Sequence, residues 1–461
     1  MIGKGFSLFS FIVIVAGILT ATWMRSVGHD NTMMGDPYFS MADFGICSPL
    51  SNLYTCVAHA WLAIVSRTGG EKTPIILPKK MTKKLAIVTG SNTGIGYETS
   101  KRLVREYGWD VILACRSKDK ALIARNKINN HNENDDDAYS GKAIVLEPVL
   151  DLSDFDSIRK FVDAVQNEYD NVDVLINNAG RITSGRSPGN PKLDLMFQSN
   201  YLGHFLLTDL LLKNKLLLSP SPSSSSNNSS DGSNVGGSEG EGNSKVINLS
   251  SVMHHFSKGD ATEKAGGDFE SIASPGYWKR RAFYHDDAPK NIYSASKLAA
   301  ILHSIELNRR YGDENLTAIA VNPGSVNSDI WRGFPNWVRR HVFEKIFLTT
   351  EEGSEPIVAA AVRNDFTADN NNGRGAIIYL QPYANPFSIF GGRWFPDSSS
   401  SSSTTTTTVL SSSSSKQGPM LPFTEMCGPY VGHLPTIPRL PANAETAAET
   451  LWKVSEELTE L

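Results

Sequence analysis

The chain has 461 residues, of which 40% are hydrophobic and 20% charged, enough apolar material for one large globular domain or two to three ordinary ones. A formal net charge of -4, with no dense lysine or arginine stripe, leaves no electrostatic footprint for nucleic acid and excludes that class of partner. The four cysteines, Cys47, Cys56, Cys115 and Cys427, form neither a CxxC pair nor a His/Cys cluster, which argues against a disulfide framework and against any metal site of the zinc type.

Residues Phe6 to Met24 are almost wholly apolar or small, with Lys4 before and Arg25 after, and segment 1–25 reads as a membrane anchor of sufficient length for a tilted span. A cleavable signal peptide is the competing reading, since the most hydrophobic part, Phe6 to Leu19, is short and small residues follow around Ala21. Residues 26–83 read as a connector with turns at Asp36-Pro37, Ser48-Pro49 and Gly69-Gly70 and a short packing or interfacial helix over Leu53 to Val65.

From Lys84 short β-rich runs recur at Leu85–Thr89, Val111–Cys115, Ala143–Leu146, Val172–Asn177, Lys245–Leu249, Thr317–Asn322 and Ala376–Leu380, separated by amphipathic helical stretches. Continuous apolar strands alternating with helices predict an α/β fold, a doubly wound, mostly parallel Rossmann-type sheet of about seven strands with helices on both faces. Residues 84–461 are expected to form this single domain. Two Ser-rich inserts, 219–244 and 398–415, cannot bury enough apolar surface to offset their ordering entropy and are expected to be disordered, and the acidic run Asn132 to Asp137 reads as a solvated loop.

The first strand runs into Thr89-Gly90-Ser91-Asn92-Thr93-Gly94-Ile95-Gly96, where glycines permit close approach of backbone to a pyrophosphate and the next helix aims its first amides at it. The spacing is TGxxxGxG and departs from the common GxGxxG fingerprint. Arg116 follows the second strand, where dinucleotide folds meet the adenosine ribose, and its planar fork suits a 2'-phosphate, favouring NADP over NAD. Asp151-Leu152, Asn177-Asn178-Ala179-Gly180 and Ser250-Ser251 then fall at the carboxyl ends of the third, fourth and fifth strands, where open α/β sheets bind ligands.

Tyr293 and Lys297 stand four apart and so project from one helix face, which places an ammonium near a phenol. Bringing a phenol from about 10 to near neutrality needs roughly 4 kcal/mol. One cation about 4 Å away supplies roughly that at an effective dielectric of about 20. The pair therefore suggests proton transfer coupled to hydride transfer.

These residues together resemble the short-chain dehydrogenase/reductases, whose loop, NNAG segment, active-site serine and YxxxK occur here in family order from about Lys84 to the C-terminus. Ala114-Cys115-Arg116, Asn200-Tyr201-Leu202-Gly203-His204-Phe205, Asn322-Pro323-Gly324-Ser325-Val326 and Leu451-Trp452-Lys453-Val454-Ser455-Glu456 resemble the branch holding retinol dehydrogenases, WW-domain-containing oxidoreductases and protochlorophyllide reductases, the retinol dehydrogenase side above all. The resemblance implies that Tyr293 moves the proton, that Lys297 lowers its pKa and binds the nicotinamide ribose, that Ser251 holds the substrate oxygen and that Asn200 supports a proton-relay water. It also implies a cofactor site of Gly90, Ser91, Asn92, Gly94, Ile95 and Gly96 at the pyrophosphate, Arg116 at the 2'-phosphate, Asp151 and Leu152 at the adenine, Asn178, Ala179 and Gly180 along the adenosine side, and Pro323, Gly324 and Val326 at the nicotinamide.

Three features depart from the family pattern. The stretch between Ser251 and Tyr293 is long and holds His254, His255, Tyr277 and Trp278, as a substrate-side flap or an extended surface loop; Tyr97 stands where a basic residue often assists NADP; and Ser328 replaces a threonine. The expected function is NADP(H)-dependent interconversion of an alcohol and its carbonyl, without metal, on a lipophilic substrate such as a retinoid, sterol or long-chain aldehyde, at a membrane and in the first instance that of the endoplasmic reticulum. A noncatalytic NADP(H)-binding regulator and a protochlorophyllide reductase-like enzyme are the alternatives.

Overall fold

The computed structural model describes residues 83–130, 141–218, 243–257, 271–286, 291–331, 336–340, 344, 347–366, 377–383, 430–436, 438, 440 and 443–460. The N-terminal span, nearly all of the connector, the acidic run, residues 219–242 of the first Ser-rich insert and the whole of the second lie outside these residues. Among the described residues no helix is long and apolar enough to cross a membrane.

The parallel strands are β1 (Leu85–Thr89), β2 (Asp110–Ala114), β3 (Ala143–Ile144), β4 (Val174–Asn177), β5 (Ser244–Leu249), β6 (Leu316–Val321) and β7 (Ile378–Tyr383), and β8 (Tyr430–Thr436) closes the edge antiparallel to β7. The sheet order is β3-β2-β1-β4-β5-β6-β7-β8, so the winding reverses between β1 and β4. The crevice beyond the carboxyl ends of those two strands is the place where such a sheet receives a ligand.

Both faces are covered, as the unbroken apolar strands require. In β1 the side chain of Ile87 enters one core with Leu175, Val246 and Phe205, while its neighbours Ala86 and Val88 enter a second core with Ile176, Ile319 and Ile357 on the opposite face. The first core is roofed by α3 (Phe155–Glu168), α4 (Gly203–Lys213), α6 (Ile292–Tyr311) and α8 (Ala444–Thr459); the second by α1 (Gly94–Arg105), α2 (Lys118–Asn129) and α7 (Thr350–Val362). Helix α6 is buried from Ile292 through Asn308 because α8 lies over its outer side, with Trp452 edge-on to Phe205 at 4.9 Å.

Two sequence expectations change. The first Ser-rich insert does not reach Ser244, which is buried as the first residue of β5 and pairs in register with Leu316. The eighth strand was not anticipated: Tyr430–Thr436 contains Pro435, and the fold tolerates it because β8 lies at the sheet edge, where Pro435 pairs with Leu380 on one side only.

Candidate active site

The glycine-rich loop leaves β1 through Gly90, at φ +66, whose N–H donates to the Ala114 carbonyl of β2 at 2.8 Å. Gly94, at φ +63, opens α1, a helix with no side-chain cap at Thr93 and no acid in its first turn. Its first amides and its dipole are therefore suited to an anion. Gly96 serves packing instead: a Cβ there would lie 2.4 Å from Asn178 Nδ2 and 2.7 Å from the Gly90 carbonyl oxygen.

Thr89 ties this loop to the β4 end. Its hydroxyl oxygen accepts from the Asn178 and Ala179 N–H groups at 2.9 Å each, and its carbonyl accepts from Asn178 Nδ2 at 2.7 Å. The crevice wall is thereby fixed from both of its first strands. Arg116 is exposed just past β2, Asp151 is turned inward to accept from the N–H and hydroxyl of Ser153, and the Leu152 carbonyl stands where a Cβ on Gly203 would approach within 2.4 Å. On the far side Gly324 takes φ +82, and Val326 is buried against Ile95 and Leu348. An uncapped helix start and glycines at positive φ fit the pyrophosphate of a nicotinamide dinucleotide.

The four expected catalytic side chains come together beside this crevice. Ser251 caps a 3-10 turn (Val252–Phe256) directly after β5, and its hydroxyl stands near the phenol of Tyr293 at the start of α6, where it opposes the upward push of burial on that group. Lys297, one turn on, donates to the Leu249 carbonyl at 3.0 Å, and its Nζ lies 5.7 Å from the centre of the Tyr293 ring. Asn200 sits in a wide π turn (Gln198–Leu202) leading into α4, a local widening often found at functional sites. Its Oδ1 accepts from Arg181 N–H at 2.8 Å and its Nδ2 donates to the Arg181 carbonyl and to Ser296 Oγ. A Cβ on Gly180 would lie 3.6 Å from Lys297 Nζ and 3.7 Å from Asn200 Oδ1, so both side chains converge over that glycine.

Protonation differs from the sequence expectation. Burial pushes the Tyr293 phenol up to about 12, against the opposing pull of the Ser251 hydroxyl, and burial lowers the Lys297 ammonium to about 8. The spacing anticipated a phenol brought toward neutrality by a nearby cation; here the Lys297 ammonium donates to a carbonyl on β5 and lies 5.7 Å from the centre of the ring.

Sequence reasoning assigned no role to Thr89 or His204. His204 Nδ1 faces the Asn200 carbonyl at 3.0 Å and its Nε2 faces Thr89 Oγ1 at 2.9 Å. A carbonyl only accepts, so Nδ1 carries the proton; burial holds the ring down to about 4, hence neutral, and Nε2 accepts from Thr89. The signal was present, since Thr89 opens the loop motif and His204 lies one turn after Asn200. Tyr277 and Trp278 form neither a flap nor a surface loop. They lie on α5 (Pro275–Ala282), 1% and 0% exposed, with Trp278 Nε1 donating to the Ile272 carbonyl at 2.7 Å.

Comparison with known proteins bears on this geometry. Residues 84–225 match the family model described as short chain dehydrogenase. Human retinol dehydrogenase 13 is 33% identical over 287 residues, which is 62% of this chain and 70% of the relative. Mouse retinol dehydrogenase 11 is 32% identical, covering 60% of this chain and 73% of its own, and human polyprenol dehydrogenase is 32% identical over 68% and 85% respectively.

Proposed function

The chain belongs to the short-chain dehydrogenase family as an oxidoreductase related to the retinol dehydrogenases, and from that premise we propose that it is an NADP(H)-dependent enzyme interconverting a lipophilic alcohol and its aldehyde or ketone. The observation that carries the reading is the convergence of Asn200, Ser251, Tyr293 and Lys297 beside the glycine-rich crevice. Arg116, exposed past β2, supports the choice of the 2'-phosphorylated cofactor.

When bound, the nicotinamide supplies or removes the hydride. Tyr293 holds the proton at its hydroxyl, the Ser251 hydroxyl beside it offers a donor to the developing oxyanion, and Lys297 is the one of the four that carries positive charge. With the phenol pushed up to about 12, Tyr293 is neutral at physiological pH and holds the proton that carbonyl reduction consumes. Asn200, held by the Arg181 backbone and Ser296, converges with Lys297 over Gly180 and would support a proton-relay water there.

The lipophilic substrate class is supported by the apolar run Phe6 to Met24, which would hold the domain at a membrane, and by the names of the relatives, a retinol and a polyprenol dehydrogenase. The test is NADPH consumption by the full chain in detergent with retinal, steroid ketones, polyprenals and aliphatic aldehydes. Changing Tyr293 to Phe should remove nearly all turnover and leave NADPH affinity within about twofold. Retained turnover in Tyr293→Phe refutes the assignment, and bound NADPH with no turnover on any carbonyl favours a regulatory protein.

A further inference from the structure

Helix α5 brings a cation into the core without placing it in the reaction crevice. Arg281 is 1% exposed, with its guanidinium over the Tyr277 ring at 3.5 Å, Nη1 donating to the Tyr277 carbonyl at 3.0 Å and Nε donating to Asn291 Oδ1 at 3.2 Å. A buried guanidinium is costly to desolvate, so its retention in this core asks what it holds.

Asn291 supplies the answer. It is the residue at which α6 begins, two before Tyr293, and its backbone carbonyl accepts from Ala295 N–H at 2.9 Å. Its side-chain Nδ2 donates to the Ser257 carbonyl at 3.2 Å, and the Tyr277 hydroxyl donates to the same oxygen. Ser257 in turn closes the 3-10 turn that Ser251 opens. One amide therefore joins the end of the serine turn to the start of the tyrosine helix. An amide can face either way; the Nε donor of Arg281 compels Oδ1 toward itself and Nδ2 toward Ser257.

We propose that Arg281, acting through Asn291, is a positioning residue that sets the distance between Ser251 and Tyr293. The proposal rests on the oxidoreductase reading of those two residues. Neither Arg281 nor Asn291 touches the reacting atoms. Their effect is on alignment, for which displacements of about 1 Å cost up to roughly 100-fold in rate.

The experiment is a double-mutant cycle on the full chain with Arg281→Met, Asn291→Leu and both together, read by kcat and by KM for NADPH. Each single variant should lower kcat by about 10–100-fold with KM for NADPH within about twofold, and the double variant should be no slower than the worse single, because both cut one chain of contacts. Arg281→Lys, which keeps a donor for Asn291 Oδ1 but loses the planar stack on Tyr277, should turn over faster than Arg281→Met and slower than wild type. Multiplicative losses in the double variant would mean two independent packing defects and overturn the proposal, as would an unchanged kcat in either single variant.

Hydrogen exchange gives a readout that needs no turnover. Exchange in 251–257 and 291–297 should quicken by about tenfold or more in Arg281→Met while β1, β4 and β5 stay protected. Unchanged exchange in either segment overturns the proposal, whatever the activity. Tyr293→Phe in the same series separates the two readings: if it turns over, the oxidoreductase site is wrong; if it is inactive while the Arg281 variants equal wild type, only the positioning role fails.

Discussion

Replacing Lys297 by Met tests the electrostatics of the site, because the structure gives both a distance and a titration point. The Nζ lies 5.7 Å from the Tyr293 ring centre. At about 6 Å and an effective dielectric of about 20, a unit positive charge favours the phenolate by roughly 3 kcal/mol, or about 2 pH units of phenol acidity. Proton transfer feels only part of that change; with a Brønsted coefficient of about 0.5 the chemical step changes by about tenfold. Desolvation places the ammonium near 8, so it is charged below that pH and neutral above it. Wild-type carbonyl reduction at saturating NADPH should therefore fall by about tenfold as pH rises through 8. Lys297→Met should be slow by that factor at pH 7 and lack the inflection. The assay is single-turnover NADPH oxidation between pH 6 and 9.5, with cofactor affinity measured separately. An inflection near 8 that persists in Lys297→Met, or equal rates at pH 7, would refute the reasoning.

Acid stability should report the buried histidines. Burial holds His204 down to about 4 and His303 to about 3, whereas both return to about 6.5 when unfolded, so the unfolded chain binds more protons below 6.5 and stability is lost as pH falls toward 4. At pH 5 the loss is roughly 2 kcal/mol per ring, and His303→Phe should shrink the difference in urea-unfolding free energy between pH 7.5 and 5 by about that amount; an undiminished difference counts against the assignment. Gly96→Ala should weaken NADPH binding by about tenfold or more in a fluorescence titration, since its Cβ would fall 2.7 Å from the Gly90 carbonyl and force the loop to move, and unchanged affinity would remove the loop from the site. Arg116→Glu should lower the preference for NADPH over NADH by about 100-fold, and a preserved preference would place 2'-phosphate recognition elsewhere.

The parallel sheet was legible because its strands are buried on both faces and so read as uninterrupted apolar runs, and β1 falls at the expected Leu85–Thr89. The third strand is shorter than its apolar run, Ala143–Ile144 alone, because Glu147-Pro148 turns the chain soon afterwards. The eighth strand carried no such run: Gly432, His433 and Pro435 interrupt it, and an edge strand paired on one side needs no continuous apolar sequence. Helix α5 escaped notice for a different reason. Arg280 and Arg281 make Tyr277 and Trp278 look like members of a surface segment, and Arg281 is accommodated in the core by stacking on Tyr277 and by its hydrogen bonds to the Tyr277 carbonyl and Asn291 Oδ1.

Spacing along the chain determines which side chains share a helix face, so the meeting of Tyr293, Lys297 and Ser251 could be anticipated from order alone. The acidity of those groups depends on what lies around them in three dimensions. Two effects oppose one another at Tyr293: a cation four residues away, which the spacing offers as a stabiliser of the phenolate, and burial, which disfavours it and is the larger. A sequence displays the first and conceals the second. Once burial is included, the phenol emerges as an acid held in reserve and not as a standing phenolate, and Lys297 becomes the group whose charge changes within the physiological range. The pH behaviour of the enzyme is then expected to follow the lysine, although the proton transferred to substrate belongs to the tyrosine.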